Sequence, residues 1–464
     1  MSAASGRLLG ADVRRVHVVG IAGAGMSGVA AALLDLELQV SGSDLRATAA
    51  TKQLQARGAR IHRGHDANNL AGADLVVHSA AVPADNPELV EAGSRGVPVA
   101  SRAAIIAELF NASRGIAVAG THGKSTTSAM IAAVLQTTGR DPSFLLGAAS
   151  PSLDHANGRY RRDSWMVVEA DEFDSAFLAY RPEIAVVTNL ERDHLDYFGT
   201  EARMVEAFAA FAAGLHADAR LIARGDVADL RHVAAGAPTP ALWFGPGEAW
   251  DLESYTAVTD GCDVEFRTPQ GPVACRLPLR GRHNAWNALA ALMACTLAGV
   301  PVVEAARALE SFGGVERRLQ LRACGGGVRV LEDYAHHPTA VRATIAAARE
   351  FTHRRLWAIY QPLLRSRTLD LLDDFVDAFA GADRVTFAEI YSPPGRERGI
   401  EASAALLAAR VRHPDASFLP SFDAIADLVA AEAADGDVIL VMGPDSVTPL
   451  ADRISGWVNT RAAA

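Results

Sequence analysis

Short apolar runs return along this chain at intervals that leave room for one helix between each pair. Up to Phe110 the runs Arg15–Val19, Gln39–Val40, Leu75–His78 and Val97–Ala100 alternate with helical stretches. That rhythm predicts a small parallel α/β sheet, because parallel strands need a crossover long enough to hold a helix. The pattern resumes with strands over Ile116–Ala119, Trp165–Glu169 and Ile184–Thr188, a helix over Glu201–Leu215 and a strand over Arg220–Ala223. The stretch from Tyr255 to Leu279 reads as antiparallel β structure, with Asp260-Gly261 and Pro269-Gln270-Gly271 as turn signals. Helices over Asn284–Leu297 and Val302–Ser311 follow, and Gly325-Gly326-Gly327 then interrupts the chain. Beyond it, strands are expected over Val328–Glu332, Leu356–Tyr360, Arg384–Phe387 and Val438–Met442. The reading is three α/β units, residues 1–112, 113–323 and 324–464, with boundaries near Asn111–Arg114 and Ala323–Gly327.

Length agrees with that division, since 464 residues exceed what one hydrophobic core serves. Half the residues are apolar, but no run approaches the roughly eighteen uninterrupted positions that a membrane span requires. The segment Met1–Arg7 shows no signal-peptide core, so the expectation is a cytoplasmic protein without a membrane partner. Cys262, Cys275, Cys295 and Cys324 lack CxxC spacing and read as buried free thiols. A formal charge of −10 argues against general nucleic-acid binding. Anionic ligands must then be met by local basic residues and helix ends.

Two glycine-rich loops, each between a strand and a helix, supply such ends. Gly120-Thr121-His122-Gly123-Lys124-Ser125-Thr126-Thr127 reads as a triphosphate cradle: glycines let backbone amides turn toward phosphate, Lys124 meets the terminal phosphates, and the Ser125 hydroxyl completes a magnesium shell. Val118 stands where the full motif has glycine, so the loop is shortened. The earlier loop, Gly23-Ala24-Gly25-Met26-Ser27-Gly28, fits the dinucleotide fingerprint, with Asp44 at the spacing for a ribose hydroxyl. Alone it would suit a nicotinamide or flavin site. Beside a lysine-bearing loop, it suits an ATP-driven reaction on a nucleotide-tethered substrate.

Further polar clusters fall at predicted strand ends. Glu169-Ala170-Asp171-Glu172-Phe173-Asp174 puts four acids in six residues, a self-repelling group that a cation would hold; Glu172 with Ser125 is the expected first-metal pair. His194, between Asp193 and Asp196, is the candidate ligand for a second metal, with the acids orienting it or capping the next helix. His283-Asn284-Ala285-Trp286-Asn287 opens a helix, and two amides three residues apart share a face able to read an adenine edge. Capping by Asn284 is the structural alternative. Asp333 could take a ribose hydroxyl, while Tyr334 and His336 could face a small substrate. Arg365 and Arg367 could fork onto a carboxylate or form a solvated turn.

Taken in order, these motifs resemble those of the Mur ligases over nearly the whole chain. The resemblance implies an α/β fold of three domains: a Rossmann-like amino-terminal domain for a UDP-sugar, a P-loop ATPase-like central domain and a Rossmann-like carboxy-terminal domain for an amino acid. It implies an ATP- and magnesium-dependent ligase of peptidoglycan precursor synthesis, in which a substrate carboxylate becomes an acyl phosphate and is then captured by an amine. In that scheme Lys124, Ser125 and Glu172 serve the phosphates and first ion, His194 the second ion, and Arg318 the phosphate charge, with Arg367 and His336 beside the reacting groups. UDP-N-acetylmuramate with L-alanine is the first choice of substrates, from the Gly-Met-Ser-Gly loop and from Phe208 at the place where several siblings carry a carbamoylated lysine. The chain is expected to be a monomer or weak homodimer. Two stretches depart from the family. Leu363 and Leu364 replace the histidine and first arginine of Gln-Pro-His-Arg-Tyr-Thr-Arg, and Met442-Gly443-Pro444-Asp445-Ser446 replaces Gly-Ala-Gly-Asp. Alternatives left open are a muramyl-peptide recycling ligase, a ligase of altered amino-acid choice, an NAD-linked oxidoreductase and a non-catalytic nucleotide-binding regulator.

Overall fold

The computed structural model describes residues 8–393, 397 and 399–463. Residues 1–7, where no signal-peptide core is expected, and the side chain of Asp174 lie outside the described residues. Two compact units emerge: Met1–Leu190 with Val205–Asp251 and Ala288–Phe312, and Glu191–Met204 with Leu252–Asn287 and Gly313–Ala464.

The first unit contains two sheets. One has five parallel strands, β1 (Arg15–Val19), β2 (Gln39–Asp44), β3 (Arg60–Arg63), β4 (Leu75–His78) and β5 (Val99–Ser101), in the order β3-β2-β1-β4-β5. The order reverses beside β1, which opens a crevice at the carboxyl end of that strand, where the Gly23–Gly28 loop begins. The other sheet has seven strands, β6 (Arg114–Ala119), β7 (Ser143–Ser150), β8 (Ala156–Arg159), β9 (Trp165–Glu169), β10 (Ile184–Val187), β11 (Arg220–Arg224) and β12 (Leu242–Phe244), ordered β12-β11-β10-β6-β9-β7-β8. Only β8 runs antiparallel to its neighbour. Because β6 lies between β10 and β9, three polar loops far apart in sequence leave the same end of adjacent strands.

The second unit holds a three-stranded sheet, β13 (Asp251–Val258), β14 (Gly261–Arg267) and β15 (Val273–Leu277), as the turn signals predict. Its larger sheet comprises β16 (Gln320–Gly325), β17 (Val328–Asp333), β18 (Arg355–Tyr360), β19 (Arg384–Phe387), β20 (Ala416–Phe418) and β21 (Asp437–Met442), ordered β16-β17-β21-β18-β19-β20. Alternation sorts β18 between two cores: Leu356, Ala358 and Tyr360 join one, and Trp357 and Ile359 the other. Both faces are therefore dry, which is why parallel strands read as continuous apolar runs. One expectation changes here. The Gly325–Gly327 run is the turn of a hairpin pairing β16 antiparallel with β17, with Gly326 and Gly327 at φ 52° and 72°. A boundary at residue 324 falls within that hairpin. The thiol expectation also needs amending: Cys262, Cys275 and Cys295 are buried, but Cys324 is exposed on β16.

Under the first sheet a buried carboxylate ties several elements together. Glu88, in the helix Pro87–Arg95, accepts from Ser43 Oγ at 2.6 Å, Asn69 Nδ2 at 2.7 Å and His65 Nδ1 at 2.9 Å, and His17 Nε2 lies 3.4 Å away. Burial pushes its carboxyl up, but the bonds from His17, Ser43, Asn69 and His65 outweigh burial and hold it down at about 2, below its ordinary 4.5. The stabilisation is therefore complete above the unfolded value and is lost as pH falls from 4.5 toward 2. Glu88→Ala should lower unfolding free energy at pH 7 by about 2–4 kcal/mol, since several buried donors lose their acceptor. Urea denaturation checks this, and the gap between wild type and variant should narrow through that acid window.

Candidate active site

The loop after β6 is shaped by two glycines and clamped from β10. Gly120 and Gly123 take φ of 122° and 83°, a region costly for residues with a Cβ, and a side chain on Gly120 would strike Thr188. Asn189 Oδ1 accepts from the His122 amide at 2.8 Å, and its Nδ2 donates to the His122 carbonyl at 2.9 Å. Thr188 Oγ1 donates to the same carbonyl at 2.6 Å. Thr121 amide adds a bond to the Asn189 carbonyl at 3.3 Å. The loop leads into the helix Lys124–Thr137, capped by Gly123, which offers no side-chain acceptor to the first turn. This is a helix end prepared for an anion. Thr188 closes a predicted strand, and no motif in the sequence marks it or Asn189 for this clamp.

Lys124 Nζ donates to the Gly120 carbonyl at 2.7 Å and to Glu172 at 2.7 and 3.0 Å. The Ser125 hydroxyl donates to Glu169 Oε1 at 3.0 Å, while Glu169 Oε2 accepts from the Gly147 amide at 2.8 Å. Glu169, unassigned from sequence, thus stands with Ser125, and Glu172 stands with Lys124. Burial disfavours the Lys124 charge, yet Glu172, Asp171 and Glu169 together raise its affinity for the proton. Burial likewise pushes the Glu172 carboxyl up to about 7, against the pull of Lys124. Three carboxylates around one ammonium leave an excess of negative charge. The Ser125 hydroxyl beside Glu169, with Glu172 next to Lys124, offers hard oxygen donors of the kind a dication takes while sharing phosphate oxygens.

At the first loop, Asp44 Oδ2 accepts from the Ala22 amide at 3.0 Å, and the amides of Gly20 and Ile21 bond the Ser43 carbonyl at 2.9 and 3.1 Å. The helix Ala24–Asp35 starts from Gly23, again without a side-chain cap. Met26 and Ser27 are buried, and Ser27 Oγ is engaged by the Ala24 carbonyl at 2.9 Å and Asn157 Nδ2 at 3.1 Å. What this loop offers a ligand is therefore main chain at Gly23, Ala24 and Gly25. Gly28 serves packing: its backbone lies so close to Asn157 and Gly158 of β8 that a side chain on Gly158 would collide with it.

In the second unit, Asp193 accepts from Arg367 at 2.7 and 2.9 Å, both side chains being buried. Burial raises the Asp193 carboxyl, but Arg367 and then His194 hold it far below the usual carboxylate range. His194 sits at φ 53°, its amide bonded to Asp193 Oδ1 at 2.8 Å and its Nδ1 3.4 Å from Arg367. Arg367 is thus paired with Asp193 in this structure. His336 is half-buried with Nδ1 2.9 Å from the Tyr334 carbonyl, and desolvation and then Arg367 lower its affinity for a proton well below the ordinary value. Asp333 accepts from the amides of Leu319 and Ala335, each at 2.7 Å, and burial raises its carboxyl. Those bonds fix the loop that follows β17. Arg318 and Arg317 lie over the Tyr334 ring at 5.2 and 4.8 Å. Beside His283, Asn284 Nδ2 bonds the Arg280 carbonyl at 2.8 Å and Asn287 Nδ2 bonds Asn284 Oδ1 at 3.2 Å, so the two amides do share a face.

The departing stretches are firmly built. Leu364 is buried at φ 66°, its amide bonded to the Tyr391 carbonyl at 2.9 Å. Ser446 Oγ donates to Gln361 at 2.7 Å, and Asp445 pairs with Arg317. Phe208 is fully buried against the Phe177 ring at 5.1 Å.

Relatives place this arrangement. A protein from Symbiobacterium thermophilum named UDP-N-acetylmuramate--L-alanine ligase is 39% identical over 97% of this chain and 95% of its own length. A protein of the same name from Mycobacterium tuberculosis is 41% identical over 97% and 96%. The crystal structure of the UDP-N-acetylmuramate-alanine ligase of Thermotoga maritima superposes with a TM-score of 0.80 at 26% identity, covering 96% of this chain and 99% of that one. A murein peptide ligase from Psychrobacter arcticus gives 0.72 at 28%, covering 96% and 98%. Residues 15–114 match the Mur ligase family, catalytic domain, residues 118–295 the Mur ligase middle domain, and residues 317–444 the Mur ligase, glutamate ligase domain. With its strand-end loops, its lysine cradle and these matches end to end, the chain belongs to the Mur ligase family.

Proposed function

We propose that this protein is an ATP-dependent ligase that joins L-alanine to the carboxylate of UDP-N-acetylmuramate, a step of peptidoglycan precursor synthesis in the cytoplasm. The observation that carries the reading is the Gly120–Thr126 loop, with Lys124 2.7 Å from Glu172 and Ser125 3.0 Å from Glu169. Relatives with the corresponding name at 39% and 41% identity over nearly the full length support the substrate pair. No helix among the described residues is long and apolar enough to cross a membrane. The small-molecule substrates leave nucleic acid and membrane without a part, and we assign a monomer or weak homodimer.

In this reading the muramyl carboxylate attacks the γ-phosphorus of ATP and ADP leaves; the amine of alanine then attacks the acyl phosphate, forming the amide and releasing phosphate. Lys124 leaves Glu172 to face the phosphates, while the Gly120–Thr126 amides receive phosphate oxygens. Magnesium, held by Ser125, Glu169 and Glu172, would neutralise charge accumulating on those oxygens. His283, Asn284 and Asn287 are assigned to the adenine, and Gly23, Ala24 and Gly25 to the diphosphate of the nucleotide sugar. Asp44 and Asp333 are assigned to ribose hydroxyls, for which each carboxylate keeps lone pairs beyond the amides it already accepts. A second ion at His194 would require Arg367 to move away, because a guanidinium on Nδ1 repels a dication. Arg318, Tyr334, His336 and Arg367 are assigned to the reacting groups.

Lys124→Ala should reduce ATP-dependent phosphate release by at least about 100-fold, given the size of a lost charge-stabilising contact, with an unchanged circular dichroism spectrum. Wild-type turnover in that variant would discard the assignment. A panel of amino acids with UDP-N-acetylmuramate, ATP and magnesium, scored by product mass, should yield the alanyl product. Consumption of a muramyl tripeptide in its place would transfer the protein to the recycling class, and no product with any amine would leave a regulator.

A further inference from the structure

The first loop has a cation that its sequence motif does not mention. Arg102 begins the helix Arg102–Asn111 directly after β5, following the N-cap Ser101. Strand β5 lies at the sheet edge beyond β4, so its carboxyl end opens on the same side as the loop after β1. From there the side chain crosses to the fingerprint. A carbon added at Gly25 would meet the guanidinium, lying 3.1 Å from Cζ and 3.2 Å from Cδ. Arg102 therefore rests against the main chain at Gly25. Its other neighbour is Asp171 at 4.0 Å, with both side chains about two-fifths exposed, 39% and 44%.

These contacts describe a guanidinium in a place where an anion is expected, lightly held by a carboxylate. An ion pair at 4.0 Å between half-exposed groups is worth little, so little is lost on leaving it. A diphosphate over the Ala24 and Gly25 amides would offer the same guanidinium a bidentate partner of higher charge. We infer that Arg102 is a binding residue for the diphosphate of the nucleotide sugar, and that Asp171 occupies it in the free protein. The inference rests on the function proposed above and adds a residue to it. It also links the two loops, because Asp171 borders Glu172 at the triphosphate cradle. Transfer of Arg102 to the diphosphate exposes Asp171, increasing the negative charge that Lys124 and a dication meet there.

Calorimetric titration of the intact protein with UDP-N-acetylmuramate and with UDP tests this without turnover. Wild type binding neither would refute the function, whereas the comparisons among variants judge Arg102 alone. Arg102→Ala should weaken both ligands about 10- to 100-fold, the loss of one or two charge-assisted hydrogen bonds, and Arg102→Lys should recover part of it. Asp171→Asn, which keeps an acceptor for the Phe173 amide now bonded at 3.1 Å, should tighten UDP-N-acetylmuramate by about two- to fivefold as the competing charge is removed. Equal affinity in Arg102→Ala and wild type would overturn the assignment. So would a loss confined to UDP-N-acetylmuramate with UDP unaffected, because the arginine would then be meeting the sugar's carboxylate. Weaker binding in Asp171→Asn would show the pair to be structural and overturn it as well.

Discussion

Lys124 lies among acids that it cannot neutralise, and that imbalance organises the middle module. The ammonium is buried beside Glu172 with Asp171 and Glu169 close enough to act on it, and the loop carrying it is fixed from the other side by Thr188 and Asn189. A fold keeps such an arrangement only if another positive charge completes it during work. Burial raises the Glu172 carboxyl to about 7, so in the free protein a proton can supply part of what is missing. Ligand and proton are then competitors for the same oxygens.

The geometry behind this follows from strand order. Glycine loop, acidic cluster and amide clamp follow three different strands, yet β10, β6 and β9 are neighbours and all three segments emerge together. In the second unit the same rule gathers Asp333, Gly443 and Gln361 from β17, β21 and β18. Parallel sheets concentrate chemistry at one edge because every strand points the same way.

Much of this was legible beforehand. The apolar runs marked the central strands because both of their faces are dry, and the loops after them held the glycines, Lys124 and the acids. Less visible were β8 and β3, short and polar, which are strands only because a neighbour pairs with them. The glycine run at 325–327 was read as a division because a turn and a linker share a composition; only the register of β16 with β17 tells them apart. Partner choice was also hidden. Sequence offered Glu172 to Ser125 and Arg367 to a substrate, whereas the fold gives Glu169 to Ser125 and Asp193 to Arg367. Which of several acids a side chain meets is decided at the scale of one ångström, below anything spacing records.

The contact of Gly28 with Gly158 has a mechanical meaning. Two bare stretches of backbone, one on the helix Ala24–Asp35 and one on β8, touch with no side chain between them to absorb displacement. Any tug that a bound anion exerts on the amino end of that helix must be passed on to the edge of the neighbouring sheet, much as a short rigid lever moves its hinge. The glycine that a pattern search credits to cofactor binding is, in this molecule, a bearing surface.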